Sequence, residues 1–225
     1  MKNKTKNKIK KKKNILIGTI IALVLISASL FFLSNDSLNQ KGDSTSTGDV
    51  VAIVNGEEII SSEVDLVEQY FLQQGQEISR QDIMQELIVQ ELFLQEAKKE
   101  GYEISDEELE SIIAGQLEEQ NSTLEDYKNQ LEMQGISYEE EIKNSKEQLE
   151  VQQYLSSEIA EKSLEVTEEE AHQVYEMYSQ QSTEDLPSFE EVKSQIILSL
   201  EQQKQQEAIS QLAQKLLSNA DIEYV

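Results

Sequence analysis

Apolar residues recur with two different periods along the chain, and this change separates a short strand region from a long helical region. From Val50 to Ile60 the sequence reads VVAIVNGEEII, two apolar runs separated by Asn-Gly. Asn-Gly favours the two-residue type I′ turn, so the segment predicts a β-hairpin. An isolated two-stranded hairpin is only marginally stable in water, so we expect it to have a further partner.

Seven helices are predicted downstream, because seven capping signals each precede an apolar segment of helical period. In each signal a Ser or Thr is followed three residues later by Glu or Asp, so that hydroxyl and carboxylate cap the first turn together. The second helix has the widest apolar face, from Ile83 to Phe93, and we expect it to be central. Glycines at C-cap positions, Gly75, Gly101 and Gly135, follow three of the segments. The predicted caps are Ser62, Ser79, Ser105, Ser122, Ser137, Thr167 and Ser188.

The chain ends in ADIEYV, which follows a helix stop at Ser218-Asn219 and favours a strand. We expect this tail to pair with the hairpin, so that the first and last segments of residues 49–225 close one small sheet. The predicted fold class is therefore mainly α, a multi-helix domain with a small β-sheet formed by the N-terminal hairpin and the C-terminal strand.

The N-terminal segment predicts a membrane anchor. Residues 1–14 carry eight lysines, and residues 15–33 contain no charge. Nineteen helical residues span about 28 Å, close to the hydrocarbon core of a bilayer, and the lysines favour a cytoplasmic N-terminus. Residues 34–48 are polar and rich in Ser, Thr and Gly, typical of a flexible tether. The alternative is a cleaved signal peptide with its cleavage site near Ser27–Ser29. Both interpretations place the rest of the chain outside the cytoplasm.

Charge and composition exclude several functional classes. The 225 residues include 44 acidic and 19 basic residues, and eight of the basic ones lie in the first 13 residues, which leaves 11 basic residues and a net charge of −33 for the remainder. Such a field repels phosphate backbones, so no nucleic-acid partner is expected. The absence of Cys excludes disulfides, a thiol nucleophile and a lipid anchor on an N-terminal Cys.

No catalytic, cofactor-binding or metal-binding residue is predicted. His172 is the only histidine, and without a partner nucleophile or further ligands it is interpreted as a surface or boundary residue. The acidic runs Glu139–Glu141 and Glu168–Glu170 fall in first helical turns, where they complement the helix dipole. No phosphate-binding loop is present, so no nucleotide is expected. A small-molecule substrate is not expected either.

A set of Met and aromatic residues forms the candidate apolar surface for a polypeptide, because such side chains adapt to varied partners. The competing interpretation is that each one belongs to the core. The client-binding residues therefore remain unknown from the sequence. The candidates are Tyr70, Phe71, Tyr127, Met133, Tyr138, Tyr154, Tyr175 and Tyr178.

Three segments and the C-terminal tail, in this order, resemble the SurA/PrsA family of extracytoplasmic chaperones, particularly their N-terminal helical domain. Residues 50–65 resemble the opening strand and Asn-Gly-Glu turn of the family, and residues 86–110 resemble its Leu/Ile-rich helix with an Ala-Lys-Lys-x-Gly stop. Residues 166–176 resemble its Val-Thr-x-x-Glu helix, and residues 188–225 look like the segment that returns to complete the domain. The resemblance covers residues 49–225.

The resemblance implies an ATP-independent, membrane-tethered chaperone that binds unfolded or newly exported polypeptides. Many members carry a parvulin prolyl isomerase domain, whereas here only Ser179–Pro187 lie between the two helices that would flank it. Parvulin catalysis is therefore not expected. Two alternatives stay open: a structural or adaptor protein of the cell envelope with one fixed partner, and a residual peptidyl-prolyl isomerase.

Overall fold

The computed structural model describes residues 48–119, 121–134, 136–160, 162, 164–181 and 186–225. Within this part no helix is both long and apolar enough to cross a membrane. The predicted basic segment, the predicted anchor and all but the last residue of the predicted tether lie outside the described residues. The described elements are three strands, β1 (Val50–Val54), β2 (Glu57–Ile60) and β3 (Ile222–Tyr224), and seven helices, α1 (Ser61–Gln73), α2 (Arg80–Lys99), α3 (Asp106–Glu119), α4 (Leu124–Gln134), α5 (Tyr138–Ala160), α6 (Glu168–Gln181) and α7 (Phe189–Asn219).

The mainly α architecture with one small sheet is confirmed, and most helices begin where the capping signals predict. The Ser79 hydroxyl accepts a hydrogen bond from the Asp82 amide, and Thr167 exchanges hydrogen bonds with Glu170 in the same way. Ser188 donates its amide and hydroxyl hydrogens to the Glu191 carboxylate. Each pair satisfies amides that the first turn of a helix leaves without an intrahelical partner.

Two predicted caps are wrong by one or two residues. Strand β2 continues to Ile60, so α1 begins at once, and the Ile60 amide donates to the Glu63 carboxylate instead of to a group near Ser62. At α4 the cap is Thr123, not Ser122, and Thr123 bonds reciprocally with Asp126. In both places a neighbouring residue offers an equivalent hydroxyl or carboxylate, and the preceding chain selects the register.

Helix ends show the expected left-handed residues. Gly75 and Gly101 have φ values of +70° and +86°, which a residue without Cβ adopts easily. Beyond Gly101, the Tyr102 amide donates to the Ala97 carbonyl at 3.0 Å, as in a Schellman motif. Asn121 ends α3 in the same way with φ +57°, a C-cap that sequence reasoning missed. Gly135 lies outside the described residues.

The predicted closure of the sheet is confirmed. Strand β1 is the central strand and pairs antiparallel with both β2 and β3, in the order β2-β1-β3. Ala52 is opposite Ile59 on one side and Tyr224 on the other, so the hairpin gains the C-terminal strand as its partner. A register irregularity lies between Val50 and Ala52.

The described residues fall into two compact units. Unit 1 comprises residues 48–154 and Lys215–Val225, and unit 2 comprises Leu155–Gln214. In unit 1 the sheet packs against α2, as the wide apolar face of that helix predicts. The buried residues of this core are Ala52, Val54, Ile59, Ile88 and Leu92, with Leu216 and Ile222 packed against them.

In unit 2, α6 and α7 are joined by side-chain contacts. The rings of His172 and Tyr175 pack edge-on against Phe189, with centroid distances of 4.8 and 5.6 Å. Lys193 pairs with Glu168 at 2.6 Å, and Lys204 pairs with Glu170 at 2.9 Å. These contacts link the first turns of α6 to three turns of α7, at Phe189, Lys193 and Lys204.

Asn55 links the hairpin turn, the C-terminal strand and helix α2. Its φ of +52°, followed by +97° at Gly56, is the left-handed pair that a type I′ turn requires. The Asn55 backbone amide donates a hydrogen bond to the Asp221 carbonyl at 2.8 Å. The Asn55 side-chain oxygen accepts a hydrogen bond from the Asp221 backbone amide at 2.9 Å. Its Nδ2 donates to Gln95 Oε1 at 2.8 Å, while Gln95 Nε2 donates to the Val54 carbonyl.

We predict that Asn55→Gly destabilises the protein although Gly tolerates the same backbone conformation. The substitution removes two side-chain hydrogen bonds, and each contributes about 0.5–1.5 kcal/mol. The free energy of unfolding should therefore fall by about 1–3 kcal/mol in urea titrations. Asn121→Gly is the matched control, because Asn121 also has a positive φ but its side chain makes no hydrogen bond to the described part of the chain. Equal losses for the two variants would contradict the role given to the Asn55 side chain.

Candidate functional site

His172 lies on the surface of α6, where it is half exposed. Its Nδ1 is 3.5 Å from Glu176 Oε1, one turn further along the helix, and its ring packs on Phe189. No group of three or more potential metal ligands occurs among the described residues. The surroundings of His172 thus include one exposed carboxylate and an aromatic ring, which is a helix-surface environment.

The two acidic runs lie in the first turns of α5 and α6, as the sequence predicts. At α6 the Thr167 amide donates to Glu170 at 2.9 Å, and Lys204 binds the same carboxylate. The hydrogen bond from the Thr167 backbone and that from Lys204 lower the pKa of Glu170. Glu170 therefore stays ionised and stabilises the start of its helix.

The eight Met and aromatic candidates do not share one environment. Phe71, Tyr127 and Tyr154 are buried, so for these three the core interpretation is correct. Tyr70, Tyr138 and Tyr175 are half buried. Two of the candidates are exposed. Met133 in unit 1 exposes 82% of its surface, and Tyr178 in unit 2 exposes 68%.

Tyr127, which is buried, and Tyr138, which is half buried, belong to one cluster of packed rings and hydrogen bonds. Tyr127 and Tyr138 pack edge to face at 6.3 Å, and their hydroxyls reach Glu141 and Glu110 at 3.3 and 2.7 Å. Burial and the neighbouring Glu110 raise the pKa of Tyr138 to about 12. Burial also raises the pKa of Glu141. These tyrosines are neutral hydrogen-bond donors that fix helix packing.

Four apolar residues on the described helices that expose more than half of their surface were missed by sequence reasoning. Leu66 and Leu72 on α1 expose 65% and 58% of their surface, and Met177 and Leu198 in unit 2 expose 57% and 55%. For Leu66 a signal existed, because it follows the buried Val64 by two residues and is therefore rotated by about 200° around the helix. Such residues leave apolar contact surface on a strongly acidic chain.

A polar cleft of about 530 Å³ in unit 1 is lined by residues from the end of α2, the loop after it and α5. At the wall of the cleft lies Glu150, which is only 2% exposed. Its carboxylate accepts a hydrogen bond from the Ile104 backbone amide at 3.1 Å. Lys98 pairs with Glu147 at 3.2 Å, and Lys146 pairs with Asp106 at 2.8 Å. The charges of the cleft are thus largely neutralised within the protein. Sequence reasoning did not anticipate the cleft, because its contacts join residues 40, 46 and 49 positions apart.

Helix α2 contains a buried carboxyl group. Glu86 is 3% exposed, and its Oε1 has no hydrogen-bond partner within the described chain. Burial raises the pKa of Glu86 to about 8, so the group is neutral in the folded protein at pH 7.

The chain is similar to known proteins in both sequence and fold. The family model described as SurA-like N-terminal domain matches residues 6–128, more than half of the chain. The chain belongs to the SurA-like N-terminal domain family. No parvulin domain is detected beside it. No curated protein matches the chain.

The fold of this SurA-like chain is also found among solved structures. A matching structure comes from a pair of proteins of Campylobacter jejuni, the virulence factor PEB4 and the periplasmic protein Cj1289, described as two structurally related SurA-like chaperones. The TM-score is 0.60 at 17% identity, over 78% of this chain and 98% of that one. The resemblance to the SurA/PrsA family is therefore confirmed at the level of the domain and its fold.

We predict that Glu86 makes the SurA-like domain less stable as the pH rises. Between the unfolded pKa near 4.5 and the folded pKa of about 8, the folded state retains a proton that the unfolded state has lost. Stability should fall across this range, by up to about 1.4 kcal/mol per pH unit. Glu86→Gln cannot ionise and should flatten the profile, becoming more stable than wild type near pH 8.

Urea unfolding at several pH values measures this effect. Glu100→Gln, at an exposed position just after α2, should keep the wild-type profile. Parallel profiles for wild type and Glu86→Gln would show that Glu86 does not stay protonated in the folded state.

Proposed function

We propose that the protein is a membrane-tethered, extracytoplasmic chaperone that binds unfolded or newly exported polypeptides without nucleotide. The observation that carries this proposal is the SurA-like N-terminal domain, matched over residues 6–128 and by the fold of a SurA-like chaperone. The described helices provide a stable scaffold, and the solvent-exposed apolar side chains provide contact points for a chain that has not yet buried its own.

Exposed, adaptable side chains support weak and unspecific binding. On α6 the adjacent Met177 and Tyr178 expose 57% and 68% of their surface. Methionine repacks easily, and tyrosine combines an apolar ring with a polar hydroxyl. Each such contact is weak, so a client would be held by several at once and released as it folds. The surrounding carboxylates would keep the complex in solution.

The tether is the finer part of the proposal. Its support is the uncharged segment of residues 15–33 behind eight lysines, long enough to span a bilayer. If the segment stays in the membrane, alkaline carbonate should not extract the full-length chain from membrane fractions. A soluble product starting after Ser29 would instead indicate cleavage.

The two alternatives predict different behaviour. An envelope adaptor would bind one partner and ignore unrelated unfolded proteins. A prolyl isomerase would accelerate a proline-limited refolding reaction, whereas residues 182–188 between α6 and α7 are too few for a parvulin domain.

We predict that the full-length protein suppresses aggregation of several unrelated reduced or heat-unfolded proteins without ATP, and that it leaves proline isomerisation rates unchanged. Replacing Met177 and Tyr178 together by Ser should raise several-fold the concentration needed for suppression, because two exposed contact residues are lost while the core is unchanged. Light scattering measures the effect.

Gln173→Ser with Gln180→Ser is the matched control, because both glutamines are exposed on the same helix. Suppression restricted to one client would favour the adaptor. A rate of isomerisation that rises with protein concentration would favour the enzyme.

A further inference from the structure

Helices α3 and α4 and the first turn of α5, Tyr138–Glu141, form a lobe with its own small core inside unit 1. Its buried residues are Leu117, Tyr127 and Leu131, with Ile113 and Tyr138 packed against them. We call this part, residues 106–141, the acidic lobe.

The acidic lobe is charged almost entirely with one sign. It contains twelve acidic residues and a single basic one, Lys128. Ten of the twelve acidic side chains are exposed, all except Glu110 and Glu141. The Lys128 ammonium lies 4.2 Å from the centre of the Tyr138 ring, so even this cation is engaged within the lobe.

Several of these charges do not serve the fold. Carboxylates in first turns, such as Glu125 and Glu139, stabilise their helices. Glu118, Glu119 and Glu132 instead lie in the last turns of α3 and α4, where the helix dipole disfavours negative charge and no basic residue offsets it. None of these three forms an ion pair within the described chain.

Apolar side chains are also exposed in the acidic lobe. Met133 exposes 82% of its surface, directly after Glu132 in the last turn of α4. Ile136 exposes 36% and stays close to the same turn, because its amide donates to the Leu131 carbonyl at 2.9 Å. Ile112 on α3 exposes 39%. The lobe therefore offers apolar contact surface within a negative field.

We propose that the acidic lobe binds client segments in which Lys or Arg residues stand beside apolar ones. The proposal rests on the chaperone function above and specifies its client class. The negative field raises the local concentration of cationic segments and repels acidic ones and phosphate-bearing surfaces. Ammonium or guanidinium groups of the client pair with exposed carboxylates such as Glu118, Glu119 and Glu132, while its apolar side chains contact Met133.

Two short fluorescent peptides of one apolar pattern test the client class, one with Lys at every polar position and the other with Glu. The full-length chain is held in nanodiscs of zwitterionic lipid, with empty nanodiscs as the blank. Fluorescence anisotropy should show binding of the Lys peptide and much weaker binding of the Glu peptide. The difference should shrink between about 50 mM and about 500 mM NaCl, because salt screens exposed charges.

Matched variants locate the site. The triple variant E118Q/E119Q/E132Q should weaken binding of the Lys peptide about fivefold or more, since each exposed pairing contributes a few tenths of a kcal/mol or more. Its melting temperature should not fall, because charges opposed to the helix dipole are removed. The control E57Q/E58Q/E77Q removes three exposed charges of unit 1 outside the lobe and should change affinity less than about twofold. Met133→Ser should weaken binding, and Leu66→Ser should not.

Equal binding of both peptides would overturn the inference, and so would an equal loss of affinity for the Lys peptide in the control triple variant. A change in self-association of the lobe variant with no change in peptide binding would also overturn it, because the lobe would then be an interface between copies of the chain. Equal peptide binding with aggregation suppression intact would leave the chaperone function standing. Failure of the wild-type protein to suppress aggregation of any client would refute that function instead.

Discussion

The pairing of β1 with β3 is the contact on which the rest of unit 1 depends. It joins residues near the start of the described chain to its last residues, with Val54 opposite Ile222 and Ala52 opposite Tyr224. Such long-range pairing carries a large loop-closure cost, which grows only slowly with length, so it must be offset by specific contacts at the junction. Asn55 supplies these contacts. It lies in the turn, shares two hydrogen bonds with Asp221 and donates one to Gln95 of α2.

This closure explains how a mainly helical chain can leave apolar residues exposed without losing its structure. The hairpin, β3 and α2 share the core formed by Ala52, Val54, Ile88 and Leu92, which secures both ends of unit 1. The acidic lobe has a separate small core around Leu117 and Leu131. Residues such as Met133 are not needed in either core, so their exposure has no cost in packing and provides surface for a partner.

Local features were predictable from the sequence because local chemistry determines them. Asn55-Gly56 specifies its turn, and Ser79, Thr167 and Ser188 cap helices through residues three positions away. Ser122 and Thr123 are neighbours that offer the same capping hydroxyl. The preceding chain determined which of them caps the helix, so the predicted cap was wrong by one residue. The strand partner of the hairpin was predictable because the tail was the one other segment with strand character.

Long-range features were not predictable. The bond from Asn55 to Gln95, the burial of Glu86 and the polar cleft between α2 and α5 each join residues that no local pattern relates. The same difficulty applies to the candidate binding residues. Tyr127 and Tyr178 both belong to apolar stripes of helical period, yet Tyr127 is buried and Tyr178 is exposed. Exposure depends on which helix covers a face, and periodicity does not contain that information.

Removing residues Asp221–Val225 tests the closure most directly. Deletion leaves one edge of β1 unpaired and removes the Asn55–Asp221 bonds. The melting temperature should fall by roughly 5 °C or more and aggregation should increase, whereas Glu223→Gln, at an exposed position of β3, should melt like wild type. A truncated protein that melts at the wild-type temperature would contradict the claim that the C-terminal strand holds unit 1 together.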